Sequence, residues 1–131
     1  MWHTVRLGRQ SVYHFGSRRH LVRTYLADRD GRALYTFSLD SLQPGTQPTN
    51  CAGGCAGSWY RVIPDGPLVV SAPLRAADFG YLTLNEQGHV AQLTYRGMPL
   101  YGYYGDDPTR RDRVMGHGRT EFGGEWRLAE P

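Results

Sequence analysis

A ten-residue pattern occurs twice in this 131-residue chain, and that repetition restricts the possible folds more than any other feature. Gly31-Arg-Ala-Leu34-Tyr35-Thr-Phe37-Ser-Leu-Asp40 is echoed by Gly97-Met-Pro-Leu100-Tyr101-Gly-Tyr103-Tyr-Gly-Asp106 at an offset of 66, and Gly57-Ser-Trp59 by Gly124-Glu-Trp126 at an offset of 67. Self-similarity at a fixed spacing marks a repeated supersecondary unit. Each unit reads as a strand, an Asp-containing turn, a long Gly-rich loop and a strand opening on Trp. Tyr35 and Phe37 lie two residues apart and so project from one face of a strand, as do Tyr101 and Tyr103. Asp40 and Asp106 follow three residues later, where the strand should end and a carboxylate can accept backbone N–H bonds to fix the turn. Duplicated residues at strand ends are usually architecture. The aromatics therefore read as core and the two Asp as turn clamps, ahead of any ligand site.

The rest of the chain agrees with β structure. Seventeen Gly and eight Pro punctuate it, and nine Tyr outnumber the seven Phe and Trp, a mixture of turn formers and pleat-favouring aromatics. Leu21 to Ala27, the Asp28–Gly31 turn and Ala33 to Leu39 have the shape of a β-hairpin. Gly80 to Leu84, the Asn85–Gly88 turn and Val90 to Tyr95 repeat it, and Arg96-Gly97 then leads into Leu100 to Tyr104. Trp59 to Ile63 and Glu125 to Ala129 are the closing strands. Val5 to Phe15 alternates weakly and adds a possible strand. Only Ala72 to Phe79 looks briefly helical, with Pro73 placed for a first turn. The expectation is an all-β domain over 23–131, made of two pseudo-repeated units at about 23–64 and 80–131, with little or no helix. The length suits one compact domain that folds without depending on disulfides.

Charge is uneven. The first 27 residues hold Arg6, Arg9, Arg18, Arg19 and Arg23 and no acid, whereas the remainder carries ten Arg against twelve Asp and Glu. Residues 1–22 thus read as a basic arm on a nearly neutral body. Every basic residue other than His is Arg. Codon bias in a GC-rich genome explains this more simply than selection for planar, bidentate contacts. Mean hydropathy is negative, and no apolar run approaches the roughly 18 residues of a membrane span. The opening Met1-Trp-His-Thr-Val-Arg-Leu-Gly-Arg lacks the apolar core and small-residue cleavage site of a signal peptide.

Three blocks together resemble a known family, the bacterial predicted lipoproteins with a Tyr-x-(Phe/Trp/Tyr)-x-x-Asp motif, a secreted repeat of unknown function. They are Tyr25 to Asp40, Cys51-Ala-Gly-Gly-Cys55-Ala-Gly-Ser-Trp59, and Val90-Ala-Gln92-Leu-Thr-Tyr95-Arg-Gly-Met-Pro99-Leu-Tyr101-Gly-Tyr-Tyr-Gly-Asp106. The resemblance runs from about Arg23 to Pro131 and implies an extracytoplasmic protein of the periplasm or cell envelope. It departs from the family pattern in three ways. Tyr60-Arg61 stands where Pro-Pro commonly follows the Trp, no lipidated N-terminal Cys is present, and His117 stands where Gln is more usual.

Candidate chemistry is sparse. Cys51 and Cys55, the two cysteines, are close enough across Ala-Gly-Gly to pair, and a disulfide suits an oxidising compartment. The rivals are a redox dithiol, which lacks C-x-x-C spacing, and zinc, which would need two further ligands. His3, His14, His20, His89 and His117 form no ligand pair with a nearby carboxylate. His117 alone stands out, among glycines and able to titrate near neutrality. No Gly-x-Ser-x-Gly elbow occurs, and Asp106-Asp107 and Glu121/Glu125 are paired acids without an evident apolar, pKa-raising pocket. The Gly-Gly pairs at 53–54 and 123–124 precede no helix and are not phosphate loops.

The expected protein is therefore a non-enzymatic envelope or accessory-subunit module with no cofactor. It would bind another protein or a larger envelope complex through Arg6, Arg9, Arg18, Arg19 and Arg23. Peripheral contact with an anionic membrane surface is compatible with the same charges. A small redox or metal-binding protein using Cys51/Cys55 or His117 is the rival from another class. Nucleic-acid binding through the arm, where Tyr13 and Phe15 lie among arginines, is weaker because the body is neutral to acidic.

Overall fold

The computed structural model describes residues 3–40, 51, 53–64, 66–84, 90–106 and 114–131. Within them the chain forms strands β1 (His3–His14), β2 (Arg19–Asp28), β3 (Tyr35–Phe37), β4 (Trp59–Arg61), β5 (Leu68–Val70), β6 (Phe79–Leu84), β7 (Val90–Tyr95), β8 (Met98–Pro99), β9 (Tyr101–Tyr103), β10 (Arg119–Glu121) and β11 (Gly124–Leu128), with one-turn 3-10 segments at Gly53–Gly57 and Ala76–Asp78. The protein is all-β. Three sheets have the strand orders β2-β1-β5, β10-β11-β3-β9-β4 and β6-β7-β8.

The central, five-stranded sheet is antiparallel throughout. Two of its three interior strands, β3 and β9, are the two aromatic motif strands, joined at Tyr35↔Tyr101. Trp126 pairs with Phe37, and Trp59 pairs with Tyr103. Each Trp strand therefore lies beside the motif strand from the other end of the chain. Tyr60 pairs with Gly102, and a Cβ on Gly102 would overlap the Tyr60 ring, so glycine there lets the aromatic lie flat over the neighbouring strand.

Because consecutive strand residues face opposite ways, three short runs feed two cores at once. Tyr25, Ala27, Tyr35 and Tyr101 enter one core with Phe37, Trp59, Trp126, Cys51 and Cys55. Their neighbours Leu26, Leu34 and Leu100 enter the other with Val5, Val62, Leu93 and Ala129. This is why residues 25–27 and 33–35 read as nearly continuous apolar runs and not as clean alternation.

Three sequence expectations change. The hairpin expected from Leu21 to Leu39 is confined to its turn end: β2 pairs over its whole length with β1, from Val5↔Asp28 to His14↔Arg19. Between β2 and the segment leading into β3 there is instead the isolated bridge Ala27↔Ala33, with a bond from Leu34 N–H to the Leu26 carbonyl. The basic arm of residues 1–22 is likewise not an appendage, because its boundary falls inside β2. Val5 and Val12 are fully buried, β1 also pairs in parallel with β5, and Phe15 N–H donates to the His117 carbonyl at 3.0 Å. Gly8 lies opposite Tyr25, and a Cβ there would sit 2.7 Å from the Tyr25 ring. Burial of Val12 and Tyr25 together thus outweighs the turn at Asp28–Gly31 as the choice of partner for β2, across an equally short turn at Phe15–Arg18. Finally, the helical stretch expected within Ala72 to Phe79 is a single 3-10 turn at Ala76–Asp78 with no buried residue, so nothing anchors a longer helix there. The Asn85–Gly88 turn lies outside the described residues.

Candidate functional site

The two motifs build one aromatic column. Phe37 stacks on Trp126 (4.1 Å between centroids, 11° between planes), Trp126 on Trp59 (3.9 Å, 4°) and Trp59 on Tyr103 (4.3 Å, 30°). Tyr35 meets Trp59 edge-on at 5.3 Å and Tyr101 meets Trp126 edge-on at 5.1 Å. Tyr35, Phe37, Trp59, Tyr101 and Trp126 are fully buried, and Tyr103 packs against them from a half-buried position. Both indole N–H groups, which need a partner when buried, use Glu121: Trp59 Nε1 donates to its Oε1 at 3.1 Å and Trp126 Nε1 to its carbonyl at 3.3 Å.

Asp106 fastens the column to the loop beyond it. The Tyr35 hydroxyl donates to Asp106 Oδ2 at 2.6 Å, Met115 N–H donates to Oδ1 at 2.7 Å, and Gly116 N–H donates to the Tyr35 hydroxyl at 3.2 Å. The carboxylate thus ties a residue 71 positions earlier to a backbone nine residues later, rather than bonding only within its own turn. Burial pushes its pKa up to about 6, against the lowering effects of the Tyr35 and Met115 hydrogen bonds and of Arg119 and Arg32. Burial beside Asp106 also raises Tyr35. The apolar, pKa-raising environment that no spacing in the sequence marks therefore exists, at Asp106; the signal was its place at the end of an aromatic strand. Asp40, the corresponding residue of the first motif, is also buried, and its N–H bonds the Phe37 carbonyl as Asp106 N–H bonds that of Tyr103. Asp107 lies outside the described residues.

His117 does not titrate near neutrality. It is 4% exposed, its Nδ1 accepts Leu128 N–H at 3.0 Å, and desolvation, then the neighbouring His14, lowers its pKa to about 4. The ring is a neutral acceptor for a strand N–H, with the proton on Nε2. The His14 ring stands edge-on to it at 4.8 Å, and His14 Nδ1 accepts Ser17 N–H in the hairpin turn at 2.9 Å. Among the described residues no group of three or more His, Cys, Asp or Glu is arranged to hold a metal ion.

Cys51 and Cys55 form a disulfide. Both residues are about 1% exposed, where a thiolate reagent cannot reach them, and the loop is tied to β4 by Arg61 Nη2 donating to the Cys51 carbonyl at 3.3 Å. The bridge spans a sequence separation of four, so loop-closure entropy limits its contribution to about 2 kcal/mol. Cys51→Ala/Cys55→Ala is expected to lower the unfolding free energy by that amount, moving the urea midpoint down without changing the slope, as measured by paired denaturation curves. A chain that fails to fold at all would refute this local role.

The five N-terminal arginines separate into two groups. Arg6 Nε donates to the Asp28 carbonyl at 3.2 Å and Arg23 pairs with Glu130 at 3.7 Å. Arg9, Arg18 and Arg19 are exposed, and Arg18 takes φ 58° in the turn. Beside them on β2, Leu21 and Val22 are 49% and 59% exposed. A cleft of about 320 Å³ near the tip is lined by Ser11, Tyr13, Phe15, His20, Val114 and Met115. Ser11 and His20 do not hydrogen-bond each other there. A second, of about 300 Å³, lies beside the disulfide between Tyr60, Ile63 and Tyr104. Residues 107–113 lie outside the described residues. No helix among the described residues is long and apolar enough to cross a membrane.

Residues 24–62 match the model of a family described as a secreted repeat of unknown function. The match takes in Tyr35, Phe37, Asp40, both cysteines and Trp59, and the family is a secreted one. The disulfide is the bond expected of an oxidising, extracytoplasmic compartment. No curated protein and no solved structure matches the chain.

Proposed function

We propose that this chain is a non-enzymatic extracytoplasmic binding module that acts through protein contacts, built as two intertwined units. The two-unit reading is supported by backbone bonds that recur in pairs. Leu26 N–H to the Ala129 carbonyl corresponds to Leu93 N–H to Val62 (2.8 Å each), Leu34 to Leu26 corresponds to Leu100 to Leu93 (2.9 and 3.0 Å), and Ser38 to Glu125 corresponds to Tyr104 to Ser58 (2.9 Å each). The aromatic column has the same internal symmetry, with Trp59 and Trp126 stacked at its centre. Neither unit keeps its Trp strand beside its own motif strand, so each completes the sheet of the other.

The observation that carries the binding role is the surface of the β1–β2 hairpin, where exposed Leu21 and Val22 lie among exposed Arg9, Arg18 and Arg19. Arginine beside apolar side chains is the composition of contact surfaces. Asp106 and His117, two of the groups with displaced pKa values, are engaged by the backbone inside the fold, which favours a structural use for them over catalysis. Deleting the hairpin would remove Val5 and Val12 from the core, so charge reversal is the cleaner experiment. Arg18→Glu/Arg19→Glu is expected to keep the thermal midpoint within about 2 °C, as exposed substitutions do, and to reduce retention of envelope proteins on the immobilised chain at least tenfold at low salt, an electrostatic effect that salt should weaken in the wild type. Unchanged retention would overturn the reading.

A further inference from the structure

We propose that the outer edge of β2, from Arg19 to Thr24, is a seat for an extended, alternately acidic and apolar polypeptide segment, added as an antiparallel strand; this rests on the protein-contact reading above and names its site and partner. β2 is the end strand of its sheet. Leu26 N–H donates to the Ala129 carbonyl and the Leu26 carbonyl accepts Leu34 N–H, so the backbone polar groups of Leu26 point away from β1. In an antiparallel ladder that direction recurs at every second residue. Thr24, Val22 and His20 therefore turn their N–H and C=O groups outward too, and these take no partner among the described residues. Three successive outward donor–acceptor pairs are a template for strand addition.

The chain itself shows how such a segment lies. Ala129 occupies the edge at Leu26, and the next residue, Glu130, reaches back to Arg23. The chain thus already sets one backbone carbonyl on this edge and one carboxylate beside a β2 arginine. Beyond it the pleat sorts the chemistry by face. Arg19, Leu21 and Arg23 share one face and His20, Val22 and Thr24 the other. An incoming strand would set carboxylates beside Arg19 and Arg23, and apolar side chains beside exposed Val22. Residues 1–27 contain no acid to occupy or repel it.

The probe is a capped octapeptide alternating Glu and Val, added at millimolar concentration to the isotopically labelled full chain. The expected result is at least tenfold slower amide exchange at His20, Val22 and Thr24, with Leu26 unaffected because its N–H is already bonded. N-methylation of alternate peptide residues, which removes the peptide's donors, should abolish the effect in one of its two registers. Octaglutamate should bind through charge without protecting these amides. Protection absent with the Glu-Val peptide, or equal with octaglutamate and both N-methylated forms, overturns the proposal. The peptide experiment needs no variant and so does not depend on a mutant folding. Its failure, with Arg18→Glu/Arg19→Glu still losing envelope proteins, would remove the edge site and leave the protein-contact reading standing.

Discussion

Trp126→Ala is expected to destabilise the protein by about 3–5 kcal/mol, the usual cost of truncating a buried Trp, against a total of roughly 5–15 kcal/mol for a domain of this size. The upper end of that range applies because several rings lose a packing partner at once. Trp126 is stacked between Phe37 and Trp59 and meets Tyr101 edge-on, and it belongs to the strand that lies beside Phe37. Removing it opens a cavity at the centre of the column and leaves the faces of two rings without a neighbour, in a region too closed to admit water in exchange. Phe37 and Trp59 come from distant parts of the chain, so the cavity cannot be refilled by a local shift of one loop. Chemical denaturation of the variant checks this. A loss below about 1 kcal/mol would show that the column is not what holds the central sheet. Trp59→Ala should behave alike, and the double variant should lose less than the sum, since the two rings share one contact.

The second large effect concerns pH, and it is visible only when two residues are separated. Asp106 is held at about 6 in the folded protein against 3.8 for a free side chain. Between those values the folded chain keeps a proton that the unfolded chain releases. Its contribution is full below the unfolded value and disappears as pH rises through 6. His117 is held at about 4 against 6.5, so over nearly the same window the unfolded chain takes a proton that the folded chain refuses. Its contribution is full above 6.5 and is lost as pH falls through 4. Each amounts to roughly 3 kcal/mol at about 1.36 kcal/mol per pKa unit, with opposite slopes. Burial sets both shifts, and the groups that modulate them are distinct: Tyr35, Met115, Arg119 and Arg32 around Asp106, and His14, Arg23, Arg127 and Glu125 around His117.

As far as these two residues decide it, the wild-type stability should be nearly flat between pH 4 and 6. Asp106→Asn should leave the histidine slope alone, with stability rising with pH across that window. His117→Gln should leave the aspartate slope, with stability falling with pH. Urea midpoints at four or five pH values for the three proteins test this through slopes, which are independent of any constant cost of each substitution. Parallel curves for all three would refute the assignment of either group.

The fold was legible in the sequence to the extent that its signals are local. The two-residue spacing of Tyr35 and Phe37, and of Tyr101 and Tyr103, determines that they share a strand face. Gly and Pro positions determine where most strands stop, and the β6–β7 pair follows from two strand-like runs on either side of the Asn85–Gly88 sequence. Three residues between Cys51 and Cys55 suffice to bring two sulfurs within reach. The pairing of strands is not local. β2 has an adequate turn after it and a better core partner before it, and only the packed structure, by burying Val12 and Tyr25 together, decides for β1. The Tyr35–Asp106 hydrogen bond joins residues whose motifs look self-contained in sequence. His117 looks like an exposed titrating histidine among glycines until Leu128 and His14 close over it. What the sequence by itself determined is therefore the type and facing of the pieces, because side-chain periodicity acts within a strand. Which piece meets which, and the proton affinities that result, only the tertiary structure decided, because burial and long-range contacts depend on residues that the local pattern does not name.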